Sequence, residues 1–146
     1  MTKTASTPRT ANGRLRRVLL STLVGGVIAS IANAIVAFAG LAAGADPALP
    51  GLTPGAYITF TVAGILIGAI GWALISRARA AKRILAVLVP VVLVLSLIPD
   101  VAIAASGTAA AMTAGITLGI MHLVTVAVAI PVYRAFLPLE TQAQRS

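Results

Sequence analysis

The sequence predicts an all-α fold: an integral membrane four-helix bundle with both termini cytoplasmic. Three observations carry this expectation. Of 146 residues, 59% are hydrophobic and only 10% charged, whereas soluble domains carry about 25% charged residues; a chain this size has too little polar surface to stay dissolved. Four apolar runs each approach the ~20 residues needed to cross about 30 Å of hydrocarbon. The Lys and Arg residues fall in the N-terminal tail, in the stretch 77–83 and in the C-terminal region, and the other two connections hold none. Basic residues concentrate in cytoplasmic loops, so an even number of spans with this pattern puts both termini inside.

In chain order, residues 1–13 are rich in Thr, Ser, Pro and Asn without an apolar period, which predicts a disordered cytoplasmic tail. A four-span domain is expected over 14–137. Arg14, Arg16 and Arg17 precede the first span, about 18–39. A basic stretch before an apolar run also starts a signal peptide, but that core is usually ~7–15 residues, and this run is far longer. Gly25, Ala29, Asn33 and Ala37 repeat every four residues along it, marking one packing face. The segment from Asp46 to Gly55 holds three prolines and two glycines and reads as a loop. The second span covers about 56–76, with Tyr57 and Trp72 toward its ends, where amphipathic rings favour membrane interfaces. Gly64 and Gly68 form a close-packing pair, extended by Gly71.

Arg77, Arg79, Lys82 and Arg83 make the central basic connection. The third span must run over about 84–104 to cross, which places Pro90, Pro99 and Asp100 inside it. Each proline removes a backbone donor, a loss that neighbouring helices can offset. After a short turn the fourth span covers about 112–133, and 138–146 form a polar cytoplasmic tail. The fourth span carries the single histidine, His122, on the same face as Gly115 and Gly119. Glycines four apart let another helix approach, so the imidazole is expected to point into the bundle.

Function is constrained mainly by exclusion. The formal charge of +8 invites a nucleic-acid reading, but every cluster of basic residues abuts a membrane run. They read as topology signals, with anionic lipid near the basic loops as a further partner. No cysteine is present, which removes disulfides and thiolate chemistry. One histidine and few acids cannot build an ordinary zinc site, and no phosphate-binding glycine motif occurs. No catalytic, cofactor-binding or metal residues are therefore expected. The candidate intramembrane polar site is His122, Ser96, Asp100 and Asn33. Counting depth at 1.5 Å per residue puts His122 near the middle, Ser96 slightly outward, and Asn33 and Asp100 in the outer half with Thr59 and Thr61. Ser96 is expected nearest His122, with Asp100 one turn further out.

Ser-Leu-Ile-Pro-Asp at 96–100, Ile-Met-His-Leu-Val at 120–124 and Ala-Asn-Ala-Ile-Val at 32–36 resemble an uncharacterised family of small four-span membrane proteins from actinobacteria, a domain of unknown function. The resemblance covers about 17–134 and implies location and span number, with no activity to carry over. The leading functional expectation is a non-enzymatic structural or accessory bundle in a bacterial plasma membrane, packing with itself or a membrane-protein partner. The alternative is a small oligomeric transporter or proton-coupled carrier using His122 and Asp100; a membrane-embedded lipid-modifying enzyme is third.

Overall fold

The computed structural model describes residues 9–139. Among them four helices are long and apolar enough to cross a membrane: α1 (Arg9–Ala42), α2 (Pro54–Ile75), α3 (Ala81–Ala104) and α4 (Ala109–Phe136). The protein is all-helical over this range. A single 3-10 turn, Pro50–Leu52, lies in the α1–α2 connection.

The ends of the helices follow from local chemistry. α1 ends where Gly44 takes φ 94°, a left-handed conformation that closes a helix at no Cβ cost, and the Ala45 amide reaches back to the Gly40 carbonyl at 3.0 Å. Pro54 opens α2, where its missing N–H is not needed. Gly107 (φ 96°) turns the chain between α3 and α4. Thr108 then caps α4 by accepting a hydrogen bond from the Ala111 amide at 3.1 Å. Three alanines follow that cap, and alanine is the strongest helix former; this is why α4 begins at Ala109 and not at the expected 112. Residues 9–13, expected in a disordered tail, are helical: once a membrane segment is formed, each added residue gains one backbone bond without a new nucleus. The expected tails at 1–8 and 140–146 lie outside the described residues. α3 continues through Pro90 and Pro99.

In space the order is α2–α1–α4–α3. α1 packs along both α2 and α4, α3 packs along α4, and α2 scarcely meets α3. All neighbours are antiparallel, so the start of α1, the α2–α3 connection and the end of α4 share one end of the bundle. The stripe expected on α1 is its packed face: Ala29, Asn33 and Ala37 are buried, and a Cβ on Gly25 would meet Ile65 of α2 and Val132 of α4. At the basic end Trp72 is buried. Its indole donates to the Leu137 carbonyl at 2.9 Å, and its ring tilts against Tyr133 with centroids 5.6 Å apart. Trp72 thus lies toward the end of α2, as expected, with its amphipathic ring packed inside the bundle and its N–H on a carbonyl. Most other large apolar side chains point outward, among them Phe38, Phe60, Ile67, Val87, Val94 and Val101, the arrangement expected where lipid and not water surrounds the helices.

The glycines sort into two kinds. A Cβ on Gly115 would run into the Asp100 carbonyl and Ala104, and one on Gly68 would come within 2.6 Å of the Tyr133 hydroxyl. These two permit close approach. Gly119 is looser, with Leu97 at 3.5 Å, and around Gly64 and Gly71 nothing lies within 4 Å. Within this chain neither Gly64 nor Gly71 packs against another helix. The α2 face that meets α1 and α4 carries Thr61, Ile65, Ala69, Trp72 and Ala73, and Gly64 lies off it.

Candidate functional site

Two polar clusters form at membrane depth. In the first, Asn33 of α1 is buried and its side-chain amide donates to Thr61 Oγ1 of α2 at 2.9 Å and Thr125 Oγ1 of α4 at 3.0 Å. The orientation of the amide is fixed by chemistry. Thr125 spends its own proton on the Met121 carbonyl at 2.8 Å, so it accepts from Asn33 and the NH₂ must face it. Asn33 Oδ1 is consequently buried without a hydrogen-bond partner. One residue thus ties three helices together.

In the second cluster, His122 Nδ1 of α4 lies 2.8 Å from Asp100 Oδ2 of α3 and 3.0 Å from the Leu118 carbonyl. A carbonyl and a carboxylate are both acceptors, so Nδ1 carries the ring proton and, in the neutral imidazole, Nε2 carries the lone pair. The distance to Oδ2 is that of an ion pair, yet Oδ2 has no aligned hydrogen bond: the N–H is aimed at Leu118. The two side chains differ in access, with His122 41% exposed and Asp100 only 7%. The carboxylate sits behind the ring, and Nε2 makes no hydrogen bond with any described residue.

Depth counting places Ser96 next to His122, and the structure differs. Ser96 Oγ donates to the Leu93 carbonyl of its own helix at 2.7 Å, and Asp100 takes the place beside the ring. The cause is side-chain direction. Helical side chains lean toward the N-terminus of their helix. α3 and α4 are antiparallel, so His122 leans toward the α3–α4 turn while Asp100 leans toward the α2–α3 connection, and the two close a gap that Cα levels alone would leave open.

Of the four candidate residues, the structure brings Asp100 and His122 together, gives Asn33 a separate network, and leaves Ser96 in a local bond. Thr59 is exposed. Thr125 is the functional partner that the sequence reading missed; its signal was the spacing of Thr117, Met121 and Thr125 every four residues, the face of α4 that packs on α1. Gly40 was missed too, and it lies directly against Thr117. Among the described residues no three metal-ligating side chains come together. The arrangement offers a proton acceptor at Nε2, with the opposite ring N–H on the Leu118 carbonyl and a buried carboxylate beside it.

Residues 13–138 match a family described as a family of unknown function, DUF6069. No curated protein and no solved structure matches the chain. The match spans most of the sequence, including all four membrane helices and both polar clusters, and on that basis the chain belongs to the DUF6069 family.

Proposed function

We propose that this small multi-pass membrane protein is a non-enzymatic structural or accessory bundle of a bacterial plasma membrane, packing with itself or a partner, with both termini cytoplasmic. The observation that supports this best is how the deep polar groups are used. Asn33 joins α1 to α2 and α4, and Asp100 reaches His122 to join α3 to α4. Interhelical bonds of this kind contribute about 0.6–2 kcal/mol each, and here they act as fastenings. Orientation rests on the collection of Arg14, Arg16, Arg17, Arg77, Arg79, Lys82, Arg83 and Arg134 at one end of the bundle.

One observation favours a second reading, an oligomeric proton-coupled carrier. The His122 ring is accessible from outside its own chain while Asp100 is buried behind it, and an intramembrane ionisable pair is a functional candidate by default. Four spans give little room for a permeation path, so this reading requires several copies. A lipid-modifying enzyme has less support, because the Ser96 hydroxyl is turned to its own backbone. The test is to reconstitute the full chain in vesicles carrying an internal pH-sensitive dye, with two labelled populations for energy transfer. The structural reading expects proton flux equal to that of empty vesicles, the same for His122→Gln, and energy transfer above random mixing. Flux that disappears in His122→Gln replaces it with the carrier.

A further inference from the structure

The charges of this protein are separated by the fold. The described carboxylates, Asp46 in the α1–α2 connection and Asp100 near the far end of α3, both lie toward one end. Asp46 is occupied with the Ala48 amide at 2.8 Å, and Asp100 with His122. The other end collects the arginines and Lys82, and no described carboxylate reaches it.

Two shallow, open grooves run along the outer surface of the bundle, each on the face of a single helix, and both begin at that basic end. One is lined on α1 by Asn12, Leu15, Arg16, Leu19, Leu20 and Leu23. The other is lined on α3 by Arg83, Ile84, Val87, Leu88 and Val91. They share one composition: an arginine at the basic end, then only aliphatic side chains running into the membrane span. Leu15, Leu19, Leu23, Val87 and Val91 are all substantially exposed. The stripe from Asn12 to Leu23 is about 16 Å long at 1.5 Å per residue, close to half of the ~30 Å hydrocarbon thickness.

We propose that these two grooves are binding sites for anionic phospholipid, with the phosphate on Arg16 or Arg83 and one acyl chain laid along the aliphatic stripe. Neither part suffices alone. A bare aliphatic face holds any lipid without preference, and a bare arginine holds any anion. The combination selects a molecule with a net negative headgroup and a long apolar tail, at the depth of one leaflet. The inference does not depend on whether the bundle is an accessory subunit or a carrier.

The test uses the full chain in mild detergent, with lipid adducts counted by native mass spectrometry and phosphatidylglycerol compared with phosphatidylcholine. Preferential retention of phosphatidylglycerol is expected. Arg16→Gln and Arg83→Gln should each weaken it by more than the about five-fold that one basic residue near an anionic surface contributes non-specifically, and the pair together should abolish the preference. Arg79→Gln, a basic residue outside both grooves, should stay at or below that non-specific effect. Leu19→Ala/Leu23→Ala should weaken retention without altering helix content. Equal retention of the two lipids, or an Arg79→Gln effect as large as that of Arg16→Gln, overturns the proposal. So does full displacement by millimolar glycerol phosphate, which reads as headgroup binding only. Lipid-independent dimers that lose both adduct sites overturn it as well, because the grooves then serve a second copy.

Discussion

Asn33 illustrates how one side chain can fasten a bundle where water is absent. Its amide supplies two hydrogen bonds to hydroxyls on different helices, in a medium where an unpaired polar group is strongly disfavoured. Asn33→Leu should therefore destabilise the bundle by about 1–3 kcal/mol, summing two interhelical bonds, whereas Thr59→Val, at an exposed position, should stay within about 0.5 kcal/mol; unfolding titrations in detergent compare them. The His122–Asp100 pair makes a different prediction. Removing only the ring strands a buried carboxylate, which in proteins is destabilising by about 3–5 kcal/mol, whereas replacing both members with apolar residues is often neutral. His122→Leu should thus be worse than the double variant His122→Leu/Asp100→Leu. His122→Gln should fall between wild type and His122→Leu, because an amide still donates and accepts. Additive effects in this cycle would mean that the two side chains do not interact.

At the scale of the helix, the decisive variable is how closely two backbones approach. Gly115 sits against the backbone of α3, which cannot turn aside as a side chain can, and Gly68 sits against a Tyr133 hydroxyl already bonded to the Ile65 carbonyl at 2.6 Å. Gly115→Ala and Gly40→Ala, the latter against the Thr117 side chain, should be the most damaging of the alanine substitutions and Gly68→Ala the next, each lowering the melting temperature in detergent. Gly64→Ala and Gly71→Ala should be neutral or slightly stabilising, since nothing occupies the space and alanine is the better helix former. Gly119→Ala should be tolerated at its 3.5 Å contact. Equal melting temperatures for Gly115→Ala and Gly64→Ala would show that α3 and α4 do not meet at the observed register.

For the whole molecule the testable property is sidedness. The chain has no native cysteine, so single cysteines report cleanly. In intact cells an impermeant thiol reagent should label Thr53→Cys and Thr108→Cys and spare Ala80→Cys. All three positions are exposed on the bundle, so a difference between them reflects the membrane and not burial. Labelling at Ala80 would invert the orientation that the basic residues imply. The spatial order α2–α1–α4–α3 adds a second expectation: disulfide trapping should link α1 to α2 and to α4, and should fail between the outer halves of α2 and α3.

The number and order of the membrane helices were legible in the sequence because they depend on composition over about 20 residues, which local physics decides: a run that long and apolar belongs in hydrocarbon and must satisfy its own backbone. The buried stripe of α1 was legible for a similar reason, since a four-residue repeat of small side chains is a property of one helix. Which residues meet was not legible. Gly64 and Gly68 look alike along the chain, and only the rotation of α2 against α1 and α4 separates the open position from the packed one. Ser96 and Asp100 share a helical face, and only the opposed lean of side chains on antiparallel α3 and α4 sets the carboxylate beside the imidazole. The place of Trp72 near the end of its helix was legible, but its bond to the Leu137 carbonyl, 65 residues away in sequence, was not. Sequence determines what each helix offers; tertiary structure decides what each offer meets, because contacts between spans depend on rotation, register and side-chain direction, which no single helix encodes.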